Sequence, residues 1–219
     1  MTGILTFFLV ESALELVPER IRAHGSVKAW CRRFGRRPGE AVLDVNYMGD
    51  AMKGIPDAGR RGRPDIVHYF LLNVMEGPAG RKGLVDVYIH TYGGSTFYVE
   101  PGTRIPRSYA RFIGIMAQVL RGMDTPRIHP VSRTPQEIIR AKKKEGYRVV
   151  GMDVKGERVL PENVLGRDSV VVIGGFQKGE IRGDYCVEKW VSLGGETYPT
   201  WVIGAEVVAG WERKFLFPG

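Results

Sequence analysis

A short segment of the sequence, Arg63-Pro64-Asp65, combines a guanidinium with a carboxylate two residues later. Pro64 stiffens the backbone between them, so Asp65 can pair with Arg63 and hold its side chain in one rotamer. A fixed guanidinium suits phosphates and base edges, because its planar donor fork binds two acceptors at once. Asp65 would equally favour a helix N-terminus by its charge alone, which leaves a structural role for the pair open.

Three further arginines lie around the start of a helix that is predicted to begin at Pro106: Arg104, Arg107 and Arg111. On an ideal helix, with about 100° per residue, they share one narrow stripe beside the apolar face. None has the acidic residue four positions further along that solvent-facing helices commonly use. The stripe predicts contacts with nucleic acid, and a solvated helix face is the alternative interpretation.

A glycine-rich turn, GGFQKG from Gly174 to Gly179, follows the apolar run of residues 169–173. An α/β sheet usually binds its ligand at the end of such a strand, and glycine lets the backbone approach a cofactor closely. The spacing is that of neither a dinucleotide fingerprint nor a phosphate loop. The turn predicts a cofactor contact of another kind, and on its own it is equally compatible with a plain turn.

The other chemistry-bearing residues argue against two classes of site. The histidines have no pair four residues apart and no carboxylate at metal-ligand spacing, so we expect no metal site and structural roles for His24, His68, His90 and His129. No Gly-x-Ser-x-Gly sequence occurs, which removes the usual basis for serine hydrolase chemistry. The cysteines form no disulfide framework, and we expect both to be reduced in a cytosolic protein: Cys31 and Cys186.

The chain of 219 residues carries a formal net charge of +8, which is unevenly placed. Residues 101–150 contain eleven Arg or Lys against three Asp or Glu, a balance that favours binding of a polyanion. A basic surface that merely aids solubility is the alternative. The apolar start of the chain meets Glu11 early and predicts a buried strand, not a signal peptide. No run reaches the roughly 18 apolar residues of a membrane span, so we expect no membrane association.

Apolar periodicity predicts strands alternating with helices, and hence an α/β fold with a mainly parallel sheet. Strands are predicted at residues 4–10, 84–90, 95–100, 169–173 and 190–193, the second and third forming a hairpin. Helices are predicted to begin near Pro18, at Pro64, at Pro106, at Gln136 and near Pro199. Residues 44–63 are predicted to be irregular or weakly helical, and residues 123–135 to form a loop.

Three blocks of the sequence carry a family resemblance. They are RGRPDIVHYFLLNV from Arg61, RIPRSYARFIGIMAQVL from Arg104 and VVVIGGFQKGE from Val170, with looser similarity in LVDVYIHT, HPVSR and TYPTWVIGAEVV. The blocks stand in the family's order and cover most of the chain. In them the chain is similar to the pseudouridine N1-methyltransferases of small-subunit ribosomal RNA, the nucleolar essential protein family of the SPOUT superfamily in archaea and eukaryotes.

The resemblance implies a fold, a cofactor and partners. Proteins of this family have an α/β fold with a C-terminal trefoil knot, bind S-adenosyl-L-methionine and work as homodimers on ribosomal RNA. We therefore expect a single domain over residues 1–219, with a β-hairpin region inserted or appended near residues 84–100, and a small-subunit ribosomal RNA hairpin as substrate. The expected location is the cytoplasm, or the nucleolus in a eukaryote. A non-catalytic ribosome-assembly factor that binds RNA through the same arginines is the alternative.

The resemblance also implies roles for individual residues. The family's RNA-binding arginines match Arg63, Arg104, Arg107 and Arg111. Asp65 matches the acidic residue that holds the first of these, and the two form the expected catalytic pair. Three loops are expected to bind the cofactor through Ser132, Gly174, Gly179, Leu193, Gly194, Gly195, Glu196, Thr197, Tyr198 and Pro199. The last of these loops, SLGGETYPT, is two residues longer than is usual in the family.

Overall fold

One mixed β-sheet organises the described part of the chain, which is residues 3–123 and 125–218 of a computed structural model. Its strands are β1 (Leu5–Ser12), β2 (Val85–Thr91), β3 (Thr96–Val99), β4 (Ile128–Val131), β5 (Arg148–Arg158), β6 (Ser169–Gly174) and β7 (Lys189–Ser192). The α-helices are α1 (Gly25–Phe34), α2 (Val45–Met52), α3 (Pro64–Met75), α4 (Pro78–Arg81), α5 (Tyr109–Leu120), α6 (Pro135–Lys144), α7 (Pro161–Val164) and α8 (Thr200–Phe215).

The order of the strands across the sheet is β4-β3-β2-β1-β6-β5-β7. Pairing is parallel from β2 through β1, β6 and β5 to β7, and antiparallel between β2, β3 and β4. The predicted α/β fold with a mainly parallel sheet is therefore confirmed. The trefoil knot that the resemblance implies concerns how the chain threads through itself, which strand order does not define, and it stays a prediction.

The central strand, β1, is apolar on both faces because helices cover both sides of the sheet. On one side Phe7 packs edge-on against Phe70 of α3, with ring centroids 5.3 Å apart, and α8 completes this layer. On the other side Phe8 belongs to a second cluster that includes Ile139 of α6. The alternation of Phe7 and Phe8 between two covered faces explains the continuous apolar run that predicted this strand.

The predicted β-hairpin is present, since β2 pairs with β3 in antiparallel register from Val87 opposite Val99 to His90 opposite Thr96. Its first strand also pairs in parallel with β1, so the hairpin continues the main sheet. The predicted loop at residues 123–135 is corrected by the structure, which places β4 there. Pro130 is tolerated in this strand because β4 lies at the edge of the sheet and donates no hydrogen bond on its open side.

Several predicted helix boundaries are confirmed and two are wrong. α3 begins at Pro64, α6 at Pro135 and α8 at Thr200, as the sequence predicts to within one residue. The helix expected near Pro18 is only a 3₁₀ turn over Glu19–Ile21, and α1 begins at Gly25. The helix expected from Pro106 begins at Tyr109. Residues 44–63 include α2, whose N-cap is Asp44.

Within residues 3–123 and 125–218, no helix combines the length and apolarity needed to cross a membrane. In the same ranges, no three side chains of His, Cys, Asp or Glu come together as metal ligands.

Candidate active site

A cleft at the carboxyl ends of β5, β6 and β7 brings together most of the residues predicted to bind a cofactor. The open space in this strand-end cleft measures about 740 Å³, its mouth included. Six of the predicted residues line it: Gly174, Gly179, Leu193, Glu196, Thr197 and Tyr198. The other three members of the last loop lie in the same segment without lining the cleft: Gly194, Gly195 and Pro199.

The first wall of the strand-end cleft is an excursion of β5. This strand pairs with β7 as far as Met152, leaves the ladder for residues 153–156, and pairs again from Glu157, each time opposite Val191. Asp153 Oδ1 accepts a hydrogen bond of 2.9 Å from the backbone N–H of Lys155, which closes the turn. The excursion carries residues 152–154 into the lining of the cleft. It supplies a loop that the strand pattern of the sequence did not reveal.

The second wall is the glycine-rich turn after β6, which is fastened to the last helix. Thr200 Oγ1, in the first turn of α8, donates a hydrogen bond of 2.9 Å to Gly174 O. A Cβ at Gly174 would lie 2.9 Å from the ring of Phe176, so a larger residue would push this ring out of place. Residues 191–198, with the start of α8, complete the lining.

The lining of the strand-end cleft is partly apolar and carries negative charge. Two carboxylates line it, Asp153 and Glu196, and no Lys or Arg does so, all lining residues being in the described part of the chain. Its apolar members are Met152, Val154, Ile173, Phe176, Ile181, Val191, Leu193 and Ile203. Such a cleft suits a ligand with an apolar ring, hydroxyl groups and positive charge, and it disfavours phosphate.

Ser132 does not reach this cleft. It follows β4, the edge strand at the opposite end of the sheet from β7, and it lines a separate depression with Gly94 and Arg133. With about 4.8 Å between neighbouring strands, β4 lies roughly 20 Å from β6. Residues 152–154 line the cleft instead, and a role of Ser132 in cofactor binding stays a prediction.

Residue 179 must be glycine because the side chain of Arg60 occupies the space where a Cβ would lie. Its φ of +98° is accessible to glycine at little cost. A Cβ at this position would overlap Nη1 of Arg60. That nitrogen donates a hydrogen bond of 2.8 Å to the carbonyl oxygen of Glu180. The guanidinium thus fills the space that a side chain at Gly179 would need.

Arg60 and Glu11 form an ion pair that anchors the whole turn. Arg60 Nη2 lies 2.6 Å from Glu11 Oε2, and the two side chains are 7% and 13% exposed. The guanidinium carbon of Arg60 lies 3.8 Å from the ring centroid of Phe176, which lines the strand-end cleft. Glu11 Oε1 accepts hydrogen bonds from the backbone N–H groups of residues 182 and 183, at 2.8 and 2.9 Å. One carboxylate at the end of β1 therefore fixes both sides of the turn.

The predicted pair of Arg63 and Asp65 is present in bidentate form. Arg63 Nε donates to Asp65 Oδ1 at 2.8 Å, and Nη2 donates to Oδ2 at 2.7 Å. Their side chains are 20% and 15% exposed, so the pair is reachable from solvent yet partly screened from it. The hydrogen bonds with Asp65 raise the pKa of the Arg63 guanidinium above its ordinary value. Arg63 also occupies the N-cap position of α3, with Asp65 in the first turn.

The predicted helical stripe of arginines is wrong, although the three residues remain close in the chain. Only Arg111 lies on α5, because the helix begins at Tyr109 with Ser108 as its N-cap. The preceding segment is pinned in a non-helical path: Ile105 is buried, and His68 Nε2 of α3 donates to Pro106 O at 2.7 Å. This anchor places Arg104 and Arg107 beside α3, the helix that Arg63 caps.

Two of these arginines are exposed cations. Arg107 and Arg111 are exposed and make no ion pair with any described residue. Arg104 is 68% exposed, and its Nη1 lies 3.9 Å from Glu76 Oε2, a carboxylate that also pairs with Arg81. Free guanidiniums on one surface attract a polyanion without having to break an existing ion pair.

Backbone hydrogen bonds join the arginine pair to the strand-end cleft. Arg63 N donates to Ala13 O at 2.9 Å, and Ala13 N donates to Gly175 O at 2.8 Å. Gly175 N in turn donates to Val10 O at 2.8 Å. The N-terminus of α3 and the glycine-rich turn are therefore neighbours on one edge of the sheet.

A second polar pair, which the sequence pattern did not predict, lies beside Arg63. Tyr109 Oη donates to Asp44 Oδ2 at 2.5 Å, and Asp44 Oδ1 accepts from Asn46 N at 2.9 Å. Burial, and then the hydrogen bond with Asp44, raises the pKa of Tyr109, so its hydroxyl stays protonated. An N-cap pattern at Asp44 was the available signal, whereas the partner on a distant helix was not visible in the sequence.

Gly179→Ala should destabilise the protein more than the matched change Gly94→Ala. Both replace a glycine at positive φ, +98° and +88°, which costs about 1–2 kcal/mol for alanine. Nothing lies within 4 Å of a Cβ at Gly94, whereas one at Gly179 displaces Arg60. Disturbing this buried donor should cost a further ~1–3 kcal/mol in the free energy of unfolding. Urea denaturation of both variants measures the difference, and equal losses would contradict the role given to Arg60.

The chain matches known proteins over nearly its whole length. The family model described as EMG1/NEP1 methyltransferase matches residues 7–212. Among curated proteins, the chain is similar to the ribosomal RNA small subunit methyltransferase Nep1 of Staphylothermus marinus, with 36% identity over 96% of each chain. It is also similar to the protein of the same name from Pyrobaculum arsenaticum, with 39% identity over 93% of this chain and 96% of the other.

A solved structure agrees with the sequence matches. The structure resembles that of Archaeoglobus fulgidus Nep1 bound to S-adenosylhomocysteine, with a TM-score of 0.85 and 33% identity. The match covers 98% of this chain and 99% of that one. Fold, site geometry and sequence thus lead to one conclusion: the chain belongs to the EMG1/NEP1 methyltransferase family.

Proposed function

We propose that this chain transfers a methyl group from S-adenosyl-L-methionine to small-subunit ribosomal RNA, with nitrogen 1 of a pseudouridine as the acceptor. The observation that carries the proposal is the strand-end cleft, which adjoins an arginine pair and a surface of free guanidiniums. Membership of a methyltransferase family supports the reaction type, and the relatives' names support the RNA. The A. fulgidus relative was solved with S-adenosylhomocysteine, the product left after methyl transfer.

The residues of the strand-end cleft fit this cofactor. The cofactor supplies an electrophilic methyl group on a positively charged sulfur, together with a flat adenine ring, ribose hydroxyls and an amino acid group. Ile173, Leu193 and Ile203 offer apolar surface to the ring, while Asp153 and Glu196 offer acceptors to hydroxyls or ammonium. No Lys or Arg lines the cleft among the described residues, so a positively charged ligand meets no repulsion from like charge there.

The arginine surface fits the RNA. Arg107 and Arg111 carry unpaired positive charge, and Arg104 is only weakly engaged by Glu76. Arginine binds phosphates and base edges bidentately, so the three are suited to holding a hairpin loop whose target base has left the stack. The same contacts would serve a non-catalytic assembly factor, but that alternative gives no use to the strand-end cleft.

Arg63 and Asp65 are proposed to act on the base as one unit. The target nitrogen carries a proton in the neutral base, and its loss leaves negative charge on the ring. A guanidinium held in one orientation stabilises such charge without reorganising during the reaction. Asp65 accepts both hydrogen bonds from Arg63, which makes it a good orienting group. We assign the rest of the rate enhancement of methyl transfer to alignment of the reacting atoms.

Two further expectations belong to this proposal. We infer that the active species is a homodimer, as the resemblance implies, and that it acts in the cytoplasm. Light scattering at micromolar concentration should therefore give twice the mass of the 24.5 kDa chain. The monomer mass across that range would contradict the dimer.

Glu196→Gln should weaken cofactor binding, because the variant loses a carboxylate at the mouth of the strand-end cleft. A hydrogen bond to a charged acceptor at this site implies a loss of about tenfold in affinity for S-adenosylmethionine. Glu145→Gln is the matched control, since it removes the same charge from an exposed helix end outside the cleft. Calorimetric titration measures both. Failure of the unaltered protein to bind the cofactor at millimolar concentration would overturn the enzymatic function itself.

Asp65→Asn should reduce methyl transfer about tenfold while RNA affinity falls much less. Asn keeps the size of the side chain but loses the charge that fixes the guanidinium of Arg63. If the two residues act as a unit, Arg63→Ala combined with Asp65→Asn should be little slower than Arg63→Ala alone. Single-turnover methylation of a pseudouridine-containing hairpin by all four proteins makes the comparison. Losses that multiply would instead show that Asp65 contributes independently.

A further inference from the structure

A second cleft, which the proposed mechanism does not use, lies between the α1–α2 pair and α5. The open space in this aromatic cleft measures about 750 Å³. Four aromatic side chains line it: Trp30, Phe34, Tyr47 and Tyr109. Two of them are exposed to an unusual degree for rings of this size, Phe34 by 48% and Tyr47 by 49%. Large exposed rings grouped around a cleft mark a binding surface.

Three rings of the aromatic cleft form a connected wall. The centroid of the Trp30 ring lies 4.8 Å from that of Phe34 and 6.2 Å from that of Tyr47. The guanidinium carbon of Arg33 lies 5.5 Å from the Phe34 centroid. Rings with an arginine beside them are the surface on which unpaired bases stack, because the base meets the ring and the neighbouring phosphate meets the cation.

The opposite wall leaves room for a flat ligand. It is the face of α5 that carries small residues at helical spacing, Ala110, Gly114 and Ala117, together with Ile113. No atom of the described residues lies within 4 Å of a Cβ built at Gly114, so this position opens onto free space. Rings on one side and small residues on the other produce a slot.

Charge around the aromatic cleft is strongly positive. Residues 20–39 contain seven Arg or Lys and no Asp or Glu. Six of these cations are exposed and make no ion pair with any described residue: Arg20, Lys28, Arg32, Arg33, Arg36 and Arg37. At the rim of the cleft, Arg36 offers hydrogen-bond donors. Glu40 also lines the rim, and its Oε1 lies 3.2 Å from Nη2 of Arg121. A polyanion with exposed bases complements this combination of free cations and bare rings.

Hydrogen bonds join the aromatic cleft to the arginine surface. Tyr109, which lines the cleft, is bonded to Asp44, the N-cap of α2. Val45 is the first residue of α2, and its backbone N–H donates a hydrogen bond of 2.9 Å to the carbonyl oxygen of Gly62. Gly62 directly precedes Arg63 in the chain. Arg111 follows Ala110 of the cleft wall on the same helix. An RNA strand held by Arg63 and Arg111 would therefore pass the mouth of this cleft.

We propose that the aromatic cleft binds an unpaired nucleobase of the RNA substrate, next to the nucleotide that is methylated. The proposal rests on the function proposed above and adds a second base-recognition site to it. Stacking on Phe34 and Tyr47 supplies affinity, and Arg36 with Glu40 faces the edge of the base. Such a site fixes the register of the loop, so that the target base enters the active site.

Filling the cleft tests the proposal without removing any of its side chains. Gly114→Leu places a side chain in the open slot and also favours the helix, so the urea midpoint should not fall. Affinity for a pseudouridine-containing hairpin should fall about tenfold, the usual effect of losing one stacked base. Gln118→Leu, on the exposed face of the same helix, is the matched control and should bind RNA normally. Cofactor affinity should be unchanged in both variants.

A scan of abasic hairpins identifies the ligand as a base. For the unaltered protein, one abasic loop position other than the target should cost about tenfold in affinity, and Gly114→Leu should bind that hairpin no worse than the unaltered protein does. The dependence of affinity on salt should stay the same in Gly114→Leu, whereas Arg111→Ala should lower its slope by about one unit.

Two results would overturn the proposal. If Gly114→Leu binds the intact hairpin as tightly as Gln118→Leu does, the cleft holds no base, and a protein segment becomes the occupant to seek. If Gly114→Leu weakens every abasic hairpin equally, the variant acts on the RNA surface in general. Failure of the unaltered protein to bind any hairpin would instead overturn the proposed function together with this site.

Discussion

The backbone hydrogen bonds between the end of β1 and the turn after β6 are the constraint on which the site depends. Gly175 donates to Val10 and accepts from Ala13, and Ala13 in turn accepts from Arg63. A side chain on Gly175 would overlap Ser12, so the two segments meet only because this residue is glycine. Through this contact, the strand that forms the centre of the core also sets the position of the arginine pair relative to the strand-end cleft.

Separation of charge lets one small protein receive two ligands of opposite sign. The chain carries a net charge of +8, yet the lining of the strand-end cleft has carboxylates at Asp153 and Glu196 and, among the described residues, no cationic side chain. The free cations lie instead around α1, α5 and the segment before α5. A positively charged cofactor and a polyanionic substrate are thereby directed to adjoining surfaces. Arg63, paired with Asp65, lies at the boundary between the two surfaces. Its guanidinium can there stabilise the negative charge that develops on the base.

The sequence predicted the features that depend on local pattern and missed those that depend on distant contacts. The buried central strand, the start of α3 and the bidentate pair of Arg63 and Asp65 follow from residue type and short spacing, and all are present. The arginine stripe failed because His68, on another helix, holds Pro106 out of a helical path. The order of the strands, which places Ser132 outside the strand-end cleft, is not written in any one segment. The excursion of β5 could not be predicted, because it is defined by pairing with another strand. The residues on either side of it, Met152 and Glu157, both pair with Val191 of β7.

Methyl transfer to a defined atom is the most direct test of the proposed function. The protein is incubated with S-adenosylmethionine and either of two RNA hairpins, identical except for pseudouridine or uridine at one loop position, and the products are weighed by mass spectrometry. Uridine lacks a ring nitrogen that can accept the methyl group at the corresponding place. The proposed function predicts the added mass of one methyl group on the pseudouridine hairpin alone. Equal methylation of both hairpins, or of neither under conditions in which cofactor and RNA bind, would contradict it.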